Sequence, residues 1–401
     1  MGTTGDIPIG EQSDWEGMLP GRIAGNQSTP ILLAGVMIDG ISAEATKPGQ
    51  MIKIWTRLSL VSDSQLFHKI VPPITNAIED LARQSGSHIR LSKAEVVLLV
   101  IREDNSAELW VDAAAMALSC LVRRSVQLGT VLFDHDIVDV TGMSFPCVDF
   151  RLTDKVICLF REDWRFGFYA NFNPKKHLDI AAFSSDLGTL YRTLKYRHLY
   201  DAMADENVSQ QLLEAGWFPF AEIITSEFRD LLNCCEAGFE LAEVEAQLLE
   251  KFDDDRLDRI LERWLAKPHY SSRATILTAA INAFKAGEPV SVIKILLTEI
   301  EGILNEAHKT AKGHGAKLKQ LLEFAEASGE GKAGRSDTLL FSSAFATYLK
   351  EKTFGHFDPV AENGTAGSRH AVGHGAAKAD SYTMTRAIQA ILTLDQLAFF
   401  T

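Results

Sequence analysis

Apolar residues follow two rhythms along this chain. Between 95 and 173 they come in short runs, Val96 to Ile101, Ala107 to Val111, Lys155 to Phe160 and Phe166 to Phe172, each bounded by polar residues. The link Arg102 to Ser106, and a second polar link that contains Trp164, predict two β-hairpins, although neither holds an Asn-Gly pair. From Pro174 onward the spacing lengthens to that of a helix, with charged residues between the apolar ones. Helices are predicted at 180–198, 204–215, 219–235, 240–251, 254–266, 272–286, 289–308, 316–327, 338–353 and 380–400. Asp253, Asp254 and Asp255 suit a helix start, because carboxylates there accept free backbone N–H groups and favour the helix dipole. Trp217, Phe218 and Phe220 are expected to fill the core between helices.

Three stretches break the pattern. The run Ile31 to Ile38 fits a buried strand or part of a helix equally well. Pro72 and Pro73 predict a helix that begins at the prolines, since proline is tolerated in a first turn. Ser328 to Gly334 reads as a solvent-exposed connector; it is not a nucleotide loop, because Lys332 lacks the Ser or Thr that follows the lysine of a phosphate loop. The chain is therefore read as α+β, a small strand-rich N-terminal and middle region followed by a mostly α-helical body ending in a helical bundle. Its regions are 1–94, poorly defined; 95–173, a small α+β module; 174–269, a helical linker or scaffold; and 270–401, the terminal helical domain.

Composition adds limits. With 401 residues, 46% of them hydrophobic, the chain can bury more than one core. Its five cysteines contain no CxxC pair, which argues against a disulfide framework or thiolate zinc site and for a reducing, cytoplasmic setting. Met1 to Trp15 lacks the basic start and apolar core of a signal peptide, and Ile31 to Ile38 is too short to span a bilayer, so no membrane role is expected. A formal charge of −13 argues against indiscriminate coating of nucleic acid. It leaves room for a local basic site. Such a site is offered by Arg192, Lys195, Tyr196 and Arg197, where cations and tyrosines alternate, and by Arg165 beside Trp164; the same helix also fits a packed amphipathic face.

Chemistry concentrates at Gly367-Ser368-Arg369-His370-Ala371-Val372-Gly373-His374-Gly375. A fixed cation and titratable bases in a glycine-loosened segment can address one phosphate. On a continuous helix Arg369 and His374 differ by about 140 degrees in projection, so their convergence needs a loosened turn or a loop-to-helix junction. A neutral imidazole can take the proton of a ribose 2′-hydroxyl while the guanidinium holds the non-bridging phosphate oxygens. His374 is the preferred acid/base, with His370 beside it. Glu301 either orients one of these groups or plays a structural part, and Asn363 is a polar candidate before the motif.

Arg369-x4-His374, followed by Gly375 and an amphipathic terminal helix, resembles the signature of the HEPN superfamily. Leu296-Leu297-Thr298-Glu299-Ile300-Glu301-Gly302-Ile303-Leu304 resembles the long helix that precedes it in bacterial proteins with this domain, and Glu301 falls where an acidic residue is placed. Ser368 stands where related proteins often carry Asn. The resemblance covers about the last third of the chain. It implies a HEPN-like bundle at 270–401 and a homodimer whose two motifs line one cleft. It also implies metal-independent endoribonuclease activity without a cofactor, leaving 2′,3′-cyclic phosphate and 5′-hydroxyl ends, as in bacterial toxins and defence effectors against phage. Some members lack nuclease activity and bind RNA or a regulatory protein partner, which is the alternative expectation.

Overall fold

The computed structural model describes residues 29–356 and 364–401. The chain divides into two compact units: residues up to Ser119 with Val140–Arg197 form the first, and Cys120–Asp139 with His198–Thr401 the second. The α+β architecture follows that division, with the strand-rich part early and the helical part late.

The first unit is built on six antiparallel strands in the order β1-β4-β3-β7-β8-β2. The strands are β1 (Ile31–Leu33), β2 (Arg57–Val61), β3 (Val96–Ile101), β4 (Ala107–Val111), β7 (Lys155–Glu162) and β8 (Arg165–Asn171). β5 (Ala117–Val122) and β6 (Ile137–Ser144) pair separately as a ribbon. Both expected hairpins are present. Asn105 and Asp163 adopt positive φ at the two turns, a conformation that Asn and Asp tolerate and that takes the place of an Asn-Gly pair. The edge strands β1 and β2 come from the region that sequence patterning left undefined, since runs of three and five residues are too short to show a period.

Helix α1 (Gln65–Gln84) covers one face of this sheet, where Phe67, Ile70 and Ile78 join Val97, Leu99, Ile157 and Phe168 in one core. Helix α2 (Ile180–Lys195) packs against β8, β2 and β7. α1 starts seven residues before the expected proline start, capped by Ser64, whose Oγ accepts from Leu66 N at 3.2 Å. Pro72 and Pro73 are exposed, as are His68 and Lys69, whose carbonyls lose helical donors; water can satisfy those carbonyls, so the break is avoided.

The second unit is helical. Its elements are α3 (Arg197–Ala204), α4 (Glu206–Ala215), α5 (Ser226–Glu236), α6 (Ala242–Glu250), α7 (Asp254–Leu265), α8 (Pro268–Ser271), α9 (Ala274–Lys285), α10 (Pro289–Lys312), α11 (Leu318–Ala333), α12 (Ser342–Tyr348), α13 (Arg369–Gly373) and α14 (Met384–Phe400). α10 buries Ile293, Leu296, Leu297, Ile300, Ile303 and Leu304, and packs against α9, α11 and α14. α14 is buried on every side from Ala387 to Phe400, so its polar residues must be satisfied within the protein. Gln396 accepts from Ala221 N at 2.7 Å, and Asp395 accepts from Arg263 at 2.9 and 2.8 Å and from Trp264 Nε1 at 3.0 Å.

Helix boundaries in the second unit also differ from expectation. The helix predicted from 219 begins at Ser226, because the preceding backbone is bonded elsewhere: Arg123 donates to the carbonyls of Ala221 and Glu222, and Arg256 donates to that of Glu222 at 2.8 Å. The expected connector at 328–334 is instead the last part of α11, which runs to Ala333. Gly329 there answers to packing, since a Cβ on it would collide with Ser342 Oγ and a Phe400 ring carbon. Among the described residues no helix is long and apolar enough to cross a membrane.

Candidate functional site

The Arg369 segment is a closed loop on the second unit. Its ends meet where Lys378 N donates to Gly364 O at 3.2 Å, and Ala366 N donates to Ser381 Oγ at 3.0 Å. Ser368 starts the single turn α13: its Oγ accepts from Ala371 N at 3.4 Å and donates to Gly355 O at 2.7 Å. Ser368 is buried, so its part is to cap the turn and tie it to the chain after α12. Ala371 and Val372 anchor the turn in the core. Gly375 ends it at φ +68, with open space where a Cβ would stand, so backbone sign rather than crowding calls for glycine there. The stretch Leu349–Thr353 just upstream is a π turn, a departure from regular helix often found beside functional sites.

Arg369 pairs with Glu301 of α10 at 2.8 Å, both side chains about one-third exposed at 34% and 35%. His370, the next residue, is half-buried. Burial lowers its pKa below the ordinary histidine value, the Arg369 charge adds to that, Glu301 opposes it, and His374 and His356 lower it further. These surroundings favour the neutral imidazole of His370. His374 lies at the exposed end of the turn, its N–H donating to His370 O at 3.0 Å. Arg369 and His374 stand at the two ends of a single helical turn, and the charges of Arg369, Glu301, His374 and His356 all bear on His370 between them.

His356 also bears on His370, and sequence spacing did not single it out as a base; fourteen positions separate the two, with no periodic pattern linking them. Beside the Ser368 cap a polar pocket of about 120 Å³ is lined by Glu351, Lys352, His356, Thr365 and Arg386. Asn363 lies outside the described residues.

The RNA-contact candidates belong to the first unit. Arg192 is only 1% exposed and donates to Val140 O at 2.6 Å, so it holds β6 against α2 and is not presented to a ligand. Tyr196 is likewise buried. Tyr196 thus follows the packed-face alternative, whereas Arg192 departs from both readings because its guanidinium is bonded inside the protein. Lys195 lies over the rings of Tyr191 and Tyr196 at 5.9 and 6.0 Å. Arg197 and Arg165 both pair with Asp63, and Arg165 also stacks on Trp164 at 4.8 Å. Trp164 is 71% exposed, while Arg165 and Arg197 keep 27% and 32% of their side chains exposed.

Among the described residues no group of three or more His, Cys, Asp or Glu side chains is arranged to hold a metal ion. No protein-family model, curated protein or solved structure matches the chain.

Proposed function

We propose that this protein is a metal-independent endoribonuclease of the HEPN type, acting as a homodimer, with α9, α10, α11 and α14 as its bundle. The observation that carries this reading is the placing of Arg369, clamped by Glu301, beside one neutral and one exposed histidine on a short capped turn. His374 takes the proton from a ribose 2′-hydroxyl, the 2′-oxygen forms a bond to the adjacent phosphorus, and the bond from phosphorus to the 5′-oxygen breaks. An imidazolium from the second copy gives its proton to that leaving oxygen. Arg369 holds the non-bridging oxygens as charge grows on them, the point at which electrostatic stabilisation contributes most.

A second reading is a non-catalytic interaction protein, favoured by the Arg369–Glu301 pair itself, since a carboxylate already engages the guanidinium. One experiment separates the two. A mixed RNA pool is incubated with wild type, Arg369→Ala and His374→Ala in the presence of a chelator, and the new ends are identified. The expected result is 2′,3′-cyclic phosphate and 5′-hydroxyl ends with wild type, reduced about a hundredfold or more in either folded variant. Cleavage that persists in both variants, or that requires a divalent metal, overturns the proposal; no cleavage by any form favours the interaction protein.

A further inference from the structure

The small pocket beside Ser368 lies within the second unit, and its volume of about 120 Å³ restricts what it can hold. It is well below the roughly 300–1,000 Å³ of ordinary small-molecule sites. One phosphate-sized anion fits; a whole nucleotide does not.

Two cations in its wall, Lys352 and Arg386, are held by neutral partners. Helix α4 ends at Gly216, whose φ of +83 closes the helix, and its last carbonyls receive the two side chains. Lys352 Nζ donates to Glu214 O at 2.7 Å, and Arg386 donates through Nη1 to Ala215 O at 2.8 Å and to Gln389 Oε1 at 2.6 Å. A Cβ on Gly216 would collide with the Arg386 guanidinium, so this close seat depends on glycine. Among the described residues neither cation forms an ion pair with a carboxylate, whereas Arg369 is held by that of Glu301. Position is fixed while charge is not neutralised. Arg386 Nε and Nη2, the edge of the fork that matches two phosphate oxygens, make no hydrogen bond among the described residues.

The surroundings agree. Burial, and then the Arg386 charge, lowers the pKa of Lys352, with the charges of Glu214 and Glu351 opposing. Glu351, the carboxylate of the lining, is exposed to water, which screens it. Thr365 adds a hydroxyl to the lining. His356 lines the pocket and is also one of the charges that act on His370, and Ser368, in the same wall, is followed directly by Arg369.

We infer that this pocket seats a backbone phosphate of the RNA strand, a neighbour of the phosphate held at Arg369, on Lys352 and on the Nε and Nη2 edge of Arg386. The inference rests on the ribonuclease reading and adds a second point of attachment, which orients the strand without reading its sequence. Chain order does not announce the site, because its two cations stand on either side of the Arg369 segment and the carbonyls that fix them belong to α4.

The test is binding of a 2′-O-methyl RNA oligonucleotide, which has no free 2′-hydroxyl and so cannot be cleaved by this route, read by fluorescence anisotropy over a salt series. Inorganic phosphate is the second probe. Wild type is expected to bind the oligonucleotide, and Lys352→Gln and Arg386→Gln should each weaken it about tenfold or more, the loss of one charge-assisted contact. In each the slope of log affinity against log salt should fall by about 0.7, one phosphate on a single strand, a change that a purely structural role would not produce. Arg386→Lys keeps the charge and loses the fork, so it should keep the slope and lose affinity. It also keeps the test valid if a Gln variant fails to fold, which circular dichroism checks. No binding by wild type up to about 1 mM, or affinity and slope unchanged in the folded variants, overturns the inference. Inorganic phosphate that binds without displacing the oligonucleotide marks a free-phosphate site and overturns it too. Because the probe cannot be cleaved, failure here leaves the end-group result for Arg369 and His374 standing, and failure of cleavage leaves this binding result readable.

Discussion

His370 shows how burial and neighbouring charges tie one residue to the pH dependence of stability. Its folded pKa lies below the ordinary value of about 6.5, so as pH falls the unfolded chain binds the proton first. The groups that face it are Arg369, Glu301, His374 and His356. Stability should therefore fall as pH drops below about 6.5, and a His370→Gln variant should lose less melting temperature than wild type between about pH 7.5 and 5.5. Parallel thermal melts at several pH values check this, and identical slopes for the two proteins would refute it.

At the scale of elements, α11 decides how its glycines are to be understood. Gly329 faces Ser342 and Phe400 at distances no Cβ tolerates, whereas Gly331 has open space around it. Gly329→Ala should therefore cost about 1–3 kcal/mol through overpacking. Gly331→Ala should stabilise by about 0.5–1 kcal/mol, since alanine is the better helix former and nothing stands in its way. Urea titrations of the two variants measure both; destabilisation of similar size at the two sites would contradict the packing account. Composition alone could not tell these positions apart, because three glycines among Ser, Glu and Lys carry no record of Ser342 or Phe400. The hairpins were easier: each brings its strands together across a short link, so Leu99 opposite Leu109 and Leu159 opposite Phe168 are decided within a few residues.

At the scale of the whole molecule, the proposed homodimer links association to activity. If each cleft needs two copies of the Arg369 turn, cleavage per protomer should fall as the protein is diluted through its dissociation range. Sedimentation velocity across that range, paired with the end-group assay, checks this; activity per protomer that stays constant while dimers dissociate would show that one copy suffices. Any RNA contact must also act against a net charge of −13, so binding should be confined to local cationic surface and weaken steeply with salt.

The sequence by itself determined what local chemistry controls. Apolar runs marked β3, β4, β7 and β8 and helical spacing marked most helices, Asp253 and Ser368 supplied caps from their own side chains, and Arg369, His370 and His374 were legible as a group because they lie within six consecutive residues. Tertiary structure decided what depends on distant partners. It sent Arg192 inward to Val140, kept Trp217 to Thr225 out of helix by way of Arg123 and Arg256, and set Glu301 against Arg369. The physical reason is the same in each case: burial and pairing set the state of a charge, and both are properties of neighbours that chain order does not name.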